Sequence, residues 1–146
     1  MRILHLASFT GNIGDNLNHS GLYRSLEKEF GAKNFSIHEE EIRDYFWKKK
    51  QFDQEIIKKF NFFDLIIVGG GNFFELWVEN SRTGTSIDIP VDYLKKIKTP
   101  IAFFSLGVDI HQGYTANTKE NFFKFLDFIS KKPKYFLSIR NDGALK

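Results

Sequence analysis

Cysteine is absent from the 146-residue chain, and so are long apolar runs. Without cysteine the chain can form no disulfide, no thiolate metal site and no cysteine nucleophile. The apolar run near the N-terminus spans only a few residues, which is too short for the core of a signal peptide. No segment approaches the roughly 18 apolar residues of a membrane span. We therefore expect a cytoplasmic protein with no membrane span, and work at a membrane surface stays compatible with this expectation.

Familiar catalytic and cofactor motifs are missing as well. Gly11 and Gly14 are separated by two residues, so G-x-G-x-x-G does not occur, and neither does G-x-x-x-x-G-K-[ST] or G-x-S-x-G. The histidines show no H-E-x-x-H motif and no paired spacing, so we predict no metal site. These four histidines are His5, His19, His38 and His111.

The composition that remains is that of one soluble globular domain. The chain is 42% hydrophobic and 27% charged, which is ordinary for such a domain. Lysine and arginine exceed aspartate and glutamate by only three (21 against 18), and the excess is scattered. A nucleic-acid binder would show a basic face with exposed aromatics or a known motif, so no nucleic-acid partner is predicted. Seventeen phenylalanines are expected to lie mainly in the core.

The chain is organised around residues 64–75, which read DLIIVGGGNFFE. The apolar run LIIV suits a strand buried on both faces of a parallel sheet. Three glycines follow at once and can let a ligand or another chain approach the backbone closely. We name residues 69–72 the glycine loop. The loop is either a ligand site at the end of a strand or a tight turn where the strand passes another element.

Apolar periodicity predicts strands that alternate with helices. The expected strands are residues 2–8, 34–38, 65–68, 101–107 and 135–139. The expected helices are residues 17–30, 42–60 in one or two pieces, 91–97 and 121–132. Residues 39–41 (EEE) are expected to form an exposed linker, and residues 78–89 either a lid, an acceptor-binding loop or an irregular connection. This order favours an α/β fold, a three-layer α/β/α sandwich that is Rossmann-like or flavodoxin-like, with a five-stranded parallel sheet in the order 2-1-3-4-5.

In such a sheet the loops after strands one, three, four and five meet at one rim. The predicted substrate-binding residues there are Asn12, Gly14, Asp15, Asn16, Gly69, Gly70, Gly71, Asn72, Asp109 and Arg140. Free N–H groups and the dipole at the start of the first helix favour an anion or a sugar oxygen. Asp15 can orient a sugar hydroxyl or act as a base, or it can simply cap the helix. His19, predicted in the first helical turn, and Glu75 are further candidate proton acceptors, although a single histidine is often structural.

Four segments occur in the order found in one family. They are residues 3–21 with Asn12, Gly14 and Asp15 as N-x-G-D, residues 64–75, residues 100–109, and residues 136–143 with Arg140 before Asn-Asp. Together they resemble the polysaccharide pyruvyl transferase family. The resemblance implies one lobe of a two-lobed fold similar to GT-B glycosyltransferases. It also implies transfer of a pyruvyl group from phosphoenolpyruvate to a sugar of a cell-surface polysaccharide.

The resemblance covers essentially the whole chain but only the N-terminal lobe of a typical member. It therefore implies that residues 1–146 form a single domain of a truncated protein whose C-terminal lobe is missing. In the family the residues that hold phosphoenolpyruvate lie largely in that second lobe, so this fragment is expected to be inactive alone. Phosphoenolpyruvate would be a donor substrate, no cofactor is implied, and the partner would be a sugar or lipid-linked saccharide.

Two other functions stay open from the sequence. A non-catalytic α/β binding or dimerisation module could form a homodimer or bind another protein through the glycine loop or the aromatic residues 73–77. A nucleotide-binding flavodoxin-like domain is the second alternative.

Overall fold

The computed structural model describes residues 1–108 and 110–140. Its five strands are β1 (Arg2–Ala7), β2 (Ser36–Glu41), β3 (Leu65–Gly69), β4 (Ile101–Leu106) and β5 (Tyr135–Ile139). Its α-helices are α1 (Ile13–Phe30), α2 (Arg43–Phe46), α3 (Gln54–Phe60), α4 (Val91–Lys96) and α5 (Ala116–Ser130), with a 3₁₀ turn at Ile110–Gln112. All four strand pairs are parallel, and the sheet order is 2-1-3-4-5. The predicted Rossmann-like α/β fold is therefore confirmed, and the 42–60 helix is in two pieces.

The core lies against the central strands, as their short apolar runs predict. Leu4 of β1, Ile66 of β3 and Phe103 of β4 are buried in one cluster with Phe60 and Phe125 from the helices. Seven of the seventeen phenylalanines are buried, whereas others, including Phe62 and Phe136, stay exposed. No helix in the described part of the chain is both long enough and apolar enough to cross a membrane.

Helix α1 begins earlier than its apolar pattern predicts. Asn12 caps it, because its Oδ1 accepts a hydrogen bond of 2.9 Å from the Gly14 N–H. Asp15 therefore lies in the first turn without being the cap, and His19 lies in the second turn rather than the first. The first turn escaped the apolar pattern because its one apolar residue, Ile13, is 79% exposed.

The prediction of an exposed linker at residues 39–41 is wrong. These three glutamates lie in β2, and Glu40 is only 5% exposed. Its carboxylate accepts hydrogen bonds from the Tyr45 hydroxyl and from the ammonium groups of Lys50 and Lys59. Burial pushes the pKa of Glu40 upward, but the hydrogen bonds from Lys59 and Tyr45 outweigh it and hold the pKa below its usual value. Partners from α2, α3 and the loop between them thus make a buried glutamate acceptable at the edge of the sheet.

Glu40→Gln is expected to lower the free energy of unfolding by about 2 kcal/mol at pH 7, because a buried, charge-assisted hydrogen-bond acceptor is lost. Urea unfolding followed by circular dichroism measures the difference. Glu29→Gln, at an exposed position of α1, serves as the control and should change stability by less than about 0.5 kcal/mol. Equal effects of the two substitutions would show that the Glu40 contacts contribute nothing.

Residues 78–89 form an internally bonded connection. Ser81, Thr83 and Thr85 are buried. The Ser81 hydroxyl accepts from the Thr85 N–H at 3.0 Å, and the Thr83 hydroxyl donates to the Ile87 carbonyl at 2.6 Å. This network of satisfied buried hydroxyls favours the irregular connection over a lid.

Candidate functional site

The glycine loop turns sharply across the end of β4. Gly69 and Gly70 have φ angles of 138° and 92°, in the region that glycine adopts most readily. A Cβ added at Gly69 would lie 2.1 Å from the carbonyl oxygen of Phe104. The Gly70 N–H donates to that same oxygen at 2.9 Å, and the Gly107 N–H donates to the Gly71 carbonyl at 3.1 Å. Gly69 therefore serves the close packing of two strands, and the loop beyond it is held in a fixed position.

One face of α1 forms the support beneath this loop. Asp15, Asn18 and His19 share that face because they are spaced by three and four residues. The Asn18 side-chain amide donates to the Gly70 carbonyl at 3.2 Å. A Cβ added at Gly70 would lie 2.9 Å from Nε2 of His19, and one added at Gly71 would lie 3.2 Å from Oδ1 of Asp15. The second and third glycines thus let α1 approach the backbone of the loop.

An open groove of about 530 Å³ lies at this rim of the sheet. It is lined by Asn12, Gly14, Asp15, Leu17, Asn18, Asn72, Phe73 and Arg140. On its far side the Arg140 guanidinium donates from Nη1 to Oδ1 of Asn72 at 2.9 Å. The structure thus brings the start of α1, Asn72 at the end of the glycine loop and Arg140 after β5 into one groove with a carboxylate, side-chain amides and a guanidinium.

A bulge in β4 places Arg140 at the groove. The register of the β4–β5 pair shifts between Phe103 and Leu106, and Ser105 has a φ of 50°. Beyond the shift, the Leu106 carbonyl accepts from the Arg140 N–H at 2.9 Å. Bulges commonly re-aim side chains beside binding sites, and this one sets where the chain leaves β5.

Asp15 is the most chemically versatile group in the groove. Burial raises its pKa above the usual range, while the electrostatic effect of nearby His19, Arg140 and Arg43 opposes that rise. A carboxylate with a raised pKa is a stronger base, and both of its oxygens are acceptors for hydroxyl groups. The groove can therefore bind a polyhydroxylated ligand and help to remove one of its protons.

Arg43 holds the first loop near this groove. Its guanidinium donates from Nε to Glu41 at 2.9 Å and from Nη2 to the Thr10 hydroxyl at 2.6 Å. Glu41 also accepts from the Phe9 N–H at 3.0 Å. Residues on β2 and α2 thereby fix the loop that carries the N-x-G-D motif.

His19 lies beneath the groove rather than in it. Its residue is 4% exposed, and neither ring nitrogen has a hydrogen-bond partner. Burial lowers its pKa, against the opposing effect of Asp15, Glu39 and Glu41. A neutral imidazole packed under Gly70 fits a supporting role for the loop.

The other predicted residues fall in different places. Glu75 lines a neighbouring hollow on the far side of Phe73. Gly69, Gly70 and Gly71 are buried and do not line the groove. Asn16 is exposed but does not line the groove. Asp109 lies outside the described residues, as do the two residues that follow Arg140 in the closing motif. Within the described part of the chain, no group of three or more His, Asp or Glu side chains could hold a metal ion.

Sequence reasoning missed Asn18, Leu17, Phe73 and Arg43. Asn18 could have been found from helical spacing, because it stands three residues after Asp15 on the same helix. Phe73 was assigned to the core by default, and it is indeed mostly buried with one face toward the groove. Arg43 gave no signal, because its contacts join segments that are distant in sequence.

Comparison with known proteins adds one finding. A family model described as polysaccharide pyruvyl transferase matches residues 12–146. No match was found among curated proteins or among solved structures.

Proposed function

Because the chain belongs to the polysaccharide pyruvyl transferase family, we propose that it forms the N-terminal lobe of an enzyme that transfers a pyruvyl group from phosphoenolpyruvate to a sugar of a cell-surface polysaccharide. In this proposal the acceptor wall of a cleft is the groove lined by Asn12, Gly14, Asp15, Leu17, Asn18, Asn72, Phe73 and Arg140. A second lobe supplies the other wall and most of the donor site. The proposed place of work is the cytoplasm, where a lipid-linked saccharide would be the acceptor.

The proposed reaction determines which groups the acceptor wall must bind. Two sugar hydroxyl oxygens bond to C2 of phosphoenolpyruvate, the bond from C2 to the phosphate oxygen breaks, and the methylene carbon gains a proton to become a methyl group. One hydroxyl proton balances that gain, and the other leaves with inorganic phosphate. The enzyme must therefore hold two neighbouring hydroxyls and accept a proton from one of them.

The observation that carries the proposal is the convergence of Asp15, Asn72 and Arg140 in one groove. The Asp15 carboxylate can accept a hydroxyl proton, and its raised pKa suits that role. Asn72 is held by Arg140 through its Oδ1, which leaves its amide N–H₂ to donate to a hydroxyl oxygen. Arg140 adds positive charge near the position where a carboxylate or phosphate of the donor would approach.

Saccharide binding to the 146-residue chain tests this assignment. We expect a panel of galactose-, glucose-, mannose- and N-acetylglucosamine-containing disaccharides to include at least one that shifts the backbone amide signals of Gly70, Gly71 and Asn72 in ¹H–¹⁵N spectra. Asp15→Ala should weaken that binding about tenfold, because a charge-assisted hydrogen bond to the ligand is lost. Asp127→Ala, at an exposed position of α5 that does not line the groove, is the control and should leave the affinity unchanged.

Two results would contradict the proposal. If nucleotides shift the loop signals and no saccharide does, the nucleotide-binding alternative takes its place. If the 146-residue chain by itself releases phosphate from phosphoenolpyruvate and forms a ketal, the assignment of the donor site to a second lobe is wrong. We expect neither phosphate release nor ketal formation by this chain alone.

A further inference from the structure

Both tryptophans of the chain line one small hollow beside the groove. Trp47 follows α2 and is 53% exposed, and Trp77 follows the glycine loop and is 39% exposed. The hollow has a volume of about 180 Å³. It is lined by Ile42, Arg43, Phe46, Trp47, Asn72, Phe73, Glu75, Trp77 and Ser86. Exposed tryptophans placed together in a concave surface are a common feature of ligand sites.

The Trp77 ring is held in place from two sides. Its indole N–H donates to Oε2 of Glu75. Phe46 meets it edge to face, with ring centroids 6.5 Å apart. An indole whose edge is fixed presents its face without a large loss of rotamer freedom on binding.

Polar side chains belong to the lining of this hollow, but its exposed surface is almost entirely apolar. The Arg43 guanidinium lies 5.4 Å from the Trp47 ring. The Asn72 Oδ1 accepts from Arg140 and one Glu75 carboxylate oxygen accepts from Trp77, while the Ser86 hydroxyl donates to the Phe73 carbonyl at 2.9 Å. An aromatic, apolar floor of this kind matches the C–H-rich face of a sugar ring.

The hollow is continuous with the groove. Asn72 and Phe73 line both, so a ligand in the groove can extend past Phe73 onto Trp77. We propose that the hollow is a second saccharide subsite, in which the sugar next to the modified one stacks on Trp77. This proposal rests on the proposed function and adds to it: the acceptor is at least a disaccharide.

A second copy of the chain fits this surface less well. Two partly exposed indoles supply far less than the roughly 1,200 Å² that a specific protein interface buries. A lipid chain fits less well too, because a hollow of about 180 Å³ covers only a short part of such a chain.

The two indole N–H signals of a ¹H–¹⁵N spectrum report directly on this hollow, since the chain has only two tryptophans. Titration with cellobiose, lactose, maltose and N,N′-diacetylchitobiose, at constant ionic strength and with glycerol as an osmotic control, is expected to shift the Trp77 signal saturably with at least one of them. Trp77→Ala should weaken binding of that disaccharide about tenfold, whereas Trp77→Phe should retain most of it. The methyl glycoside of the terminal sugar should bind equally to all three proteins.

Tyr114→Ala removes another exposed aromatic side chain, outside the hollow, and should leave disaccharide binding unchanged. Shifts of the glycine-loop amides with silent indole signals would overturn the subsite and leave the proposed function standing. If no sugar shifts either the glycine-loop amide signals or the indole signals, both the subsite and the proposed function are wrong. Indole signals that move with protein concentration but not with sugar would overturn the subsite in favour of self-association.

Discussion

Gly69→Ala is expected to lower the free energy of unfolding by about 4 kcal/mol or more, at the far end of the range for single substitutions. The new methyl group would lie 2.1 Å from the Phe104 carbonyl oxygen and 2.7 Å from Cδ2 of Leu106. The first of these atoms is backbone and cannot turn away, so β3 and β4 would have to separate near the centre of the sheet. The φ of 138° adds backbone strain for any residue with a Cβ.

Gly21→Ala is the matched control for this prediction. Gly21 lies within α1, and a Cβ added there meets nothing within 4 Å. Replacing an exposed helical glycine by alanine should raise the free energy of unfolding by about 0.5–1 kcal/mol. Circular dichroism in urea measures both variants. A Gly69→Ala protein whose unfolding midpoint equals that of the unchanged chain would contradict the packing role of Gly69.

The sheet was predictable because its signals are local. Each buried strand is a short apolar run, and helical segments of adequate length separate the strands, which leaves parallel pairing with crossovers as the consistent solution. The order 2-1-3-4-5 is one of the common orders that right-handed crossovers between parallel strands produce. The sequence also drew attention to the triple glycine, since no other stretch joins a buried strand to such a run.

What the sequence could not predict depends on contacts between distant segments. Glu40 looks like part of an acidic linker until Tyr45, Lys50 and Lys59 are placed around it. The start of α1 was misplaced because Asn12 caps a turn that has no apolar face. A helix boundary that is set by a cap carries almost no periodic signal in the sequence. The same holds for a carboxylate whose partners lie in other elements of the fold.

The three glycines illustrate the same limit at the site. The pattern predicted one function for all three, whereas the structure gives each a different neighbour: Phe104 for Gly69, His19 for Gly70 and Asp15 for Gly71. Only the third borders the carboxylate of the groove. The tight-turn interpretation therefore applies at Gly69, whereas the ligand-site interpretation of the residues that follow stays a prediction.

A buried aromatic cluster with two histidines, His5 and His19, lies beneath the glycine loop. His5, in β1, is 0% exposed, and its ring centroid lies 4.8 Å from that of His19 and 5.3 Å from that of Phe9. Its Nδ1 pairs with the Tyr23 hydroxyl at 2.7 Å, and that hydroxyl donates to Glu39 at 3.0 Å. Tyr23 has one proton to give, so when Glu39 receives it the His5 Nδ1 must be the N–H partner.

This environment keeps His5 neutral. Burial is the main cause that lowers its pKa to about 4, the neighbouring His19 lowers it further, and the backbone of Gly69 offsets part of the effect. Asp15, Glu39 and Glu41 face His19 and oppose the lowering of its pKa without reversing it. Both histidines therefore favour the folded state in the same range of pH, where the imidazoles are uncharged.

Acidification from pH 6.5 to pH 4 is accordingly expected to remove about 3 kcal/mol of folding stability through His5. The unfolded chain takes up a proton near pH 6.5, whereas the folded chain does so only near pH 4, so the stabilisation is complete above pH 6.5 and is lost as the pH falls toward 4. Free energies of unfolding in urea at half-unit steps of pH measure how steeply the stability depends on pH.

His5→Gln should remove most of this pH dependence, because glutamine can still donate to Tyr23 but does not titrate. His38→Gln, at an exposed position of β2, should preserve it. A His5→Gln protein with an unchanged slope would place the acid sensitivity elsewhere, and a slope confined to pH below 4.5 would assign it to the carboxylates of Glu40 and Glu41, whose pKa values are lowered in the folded chain by their hydrogen bonds despite burial.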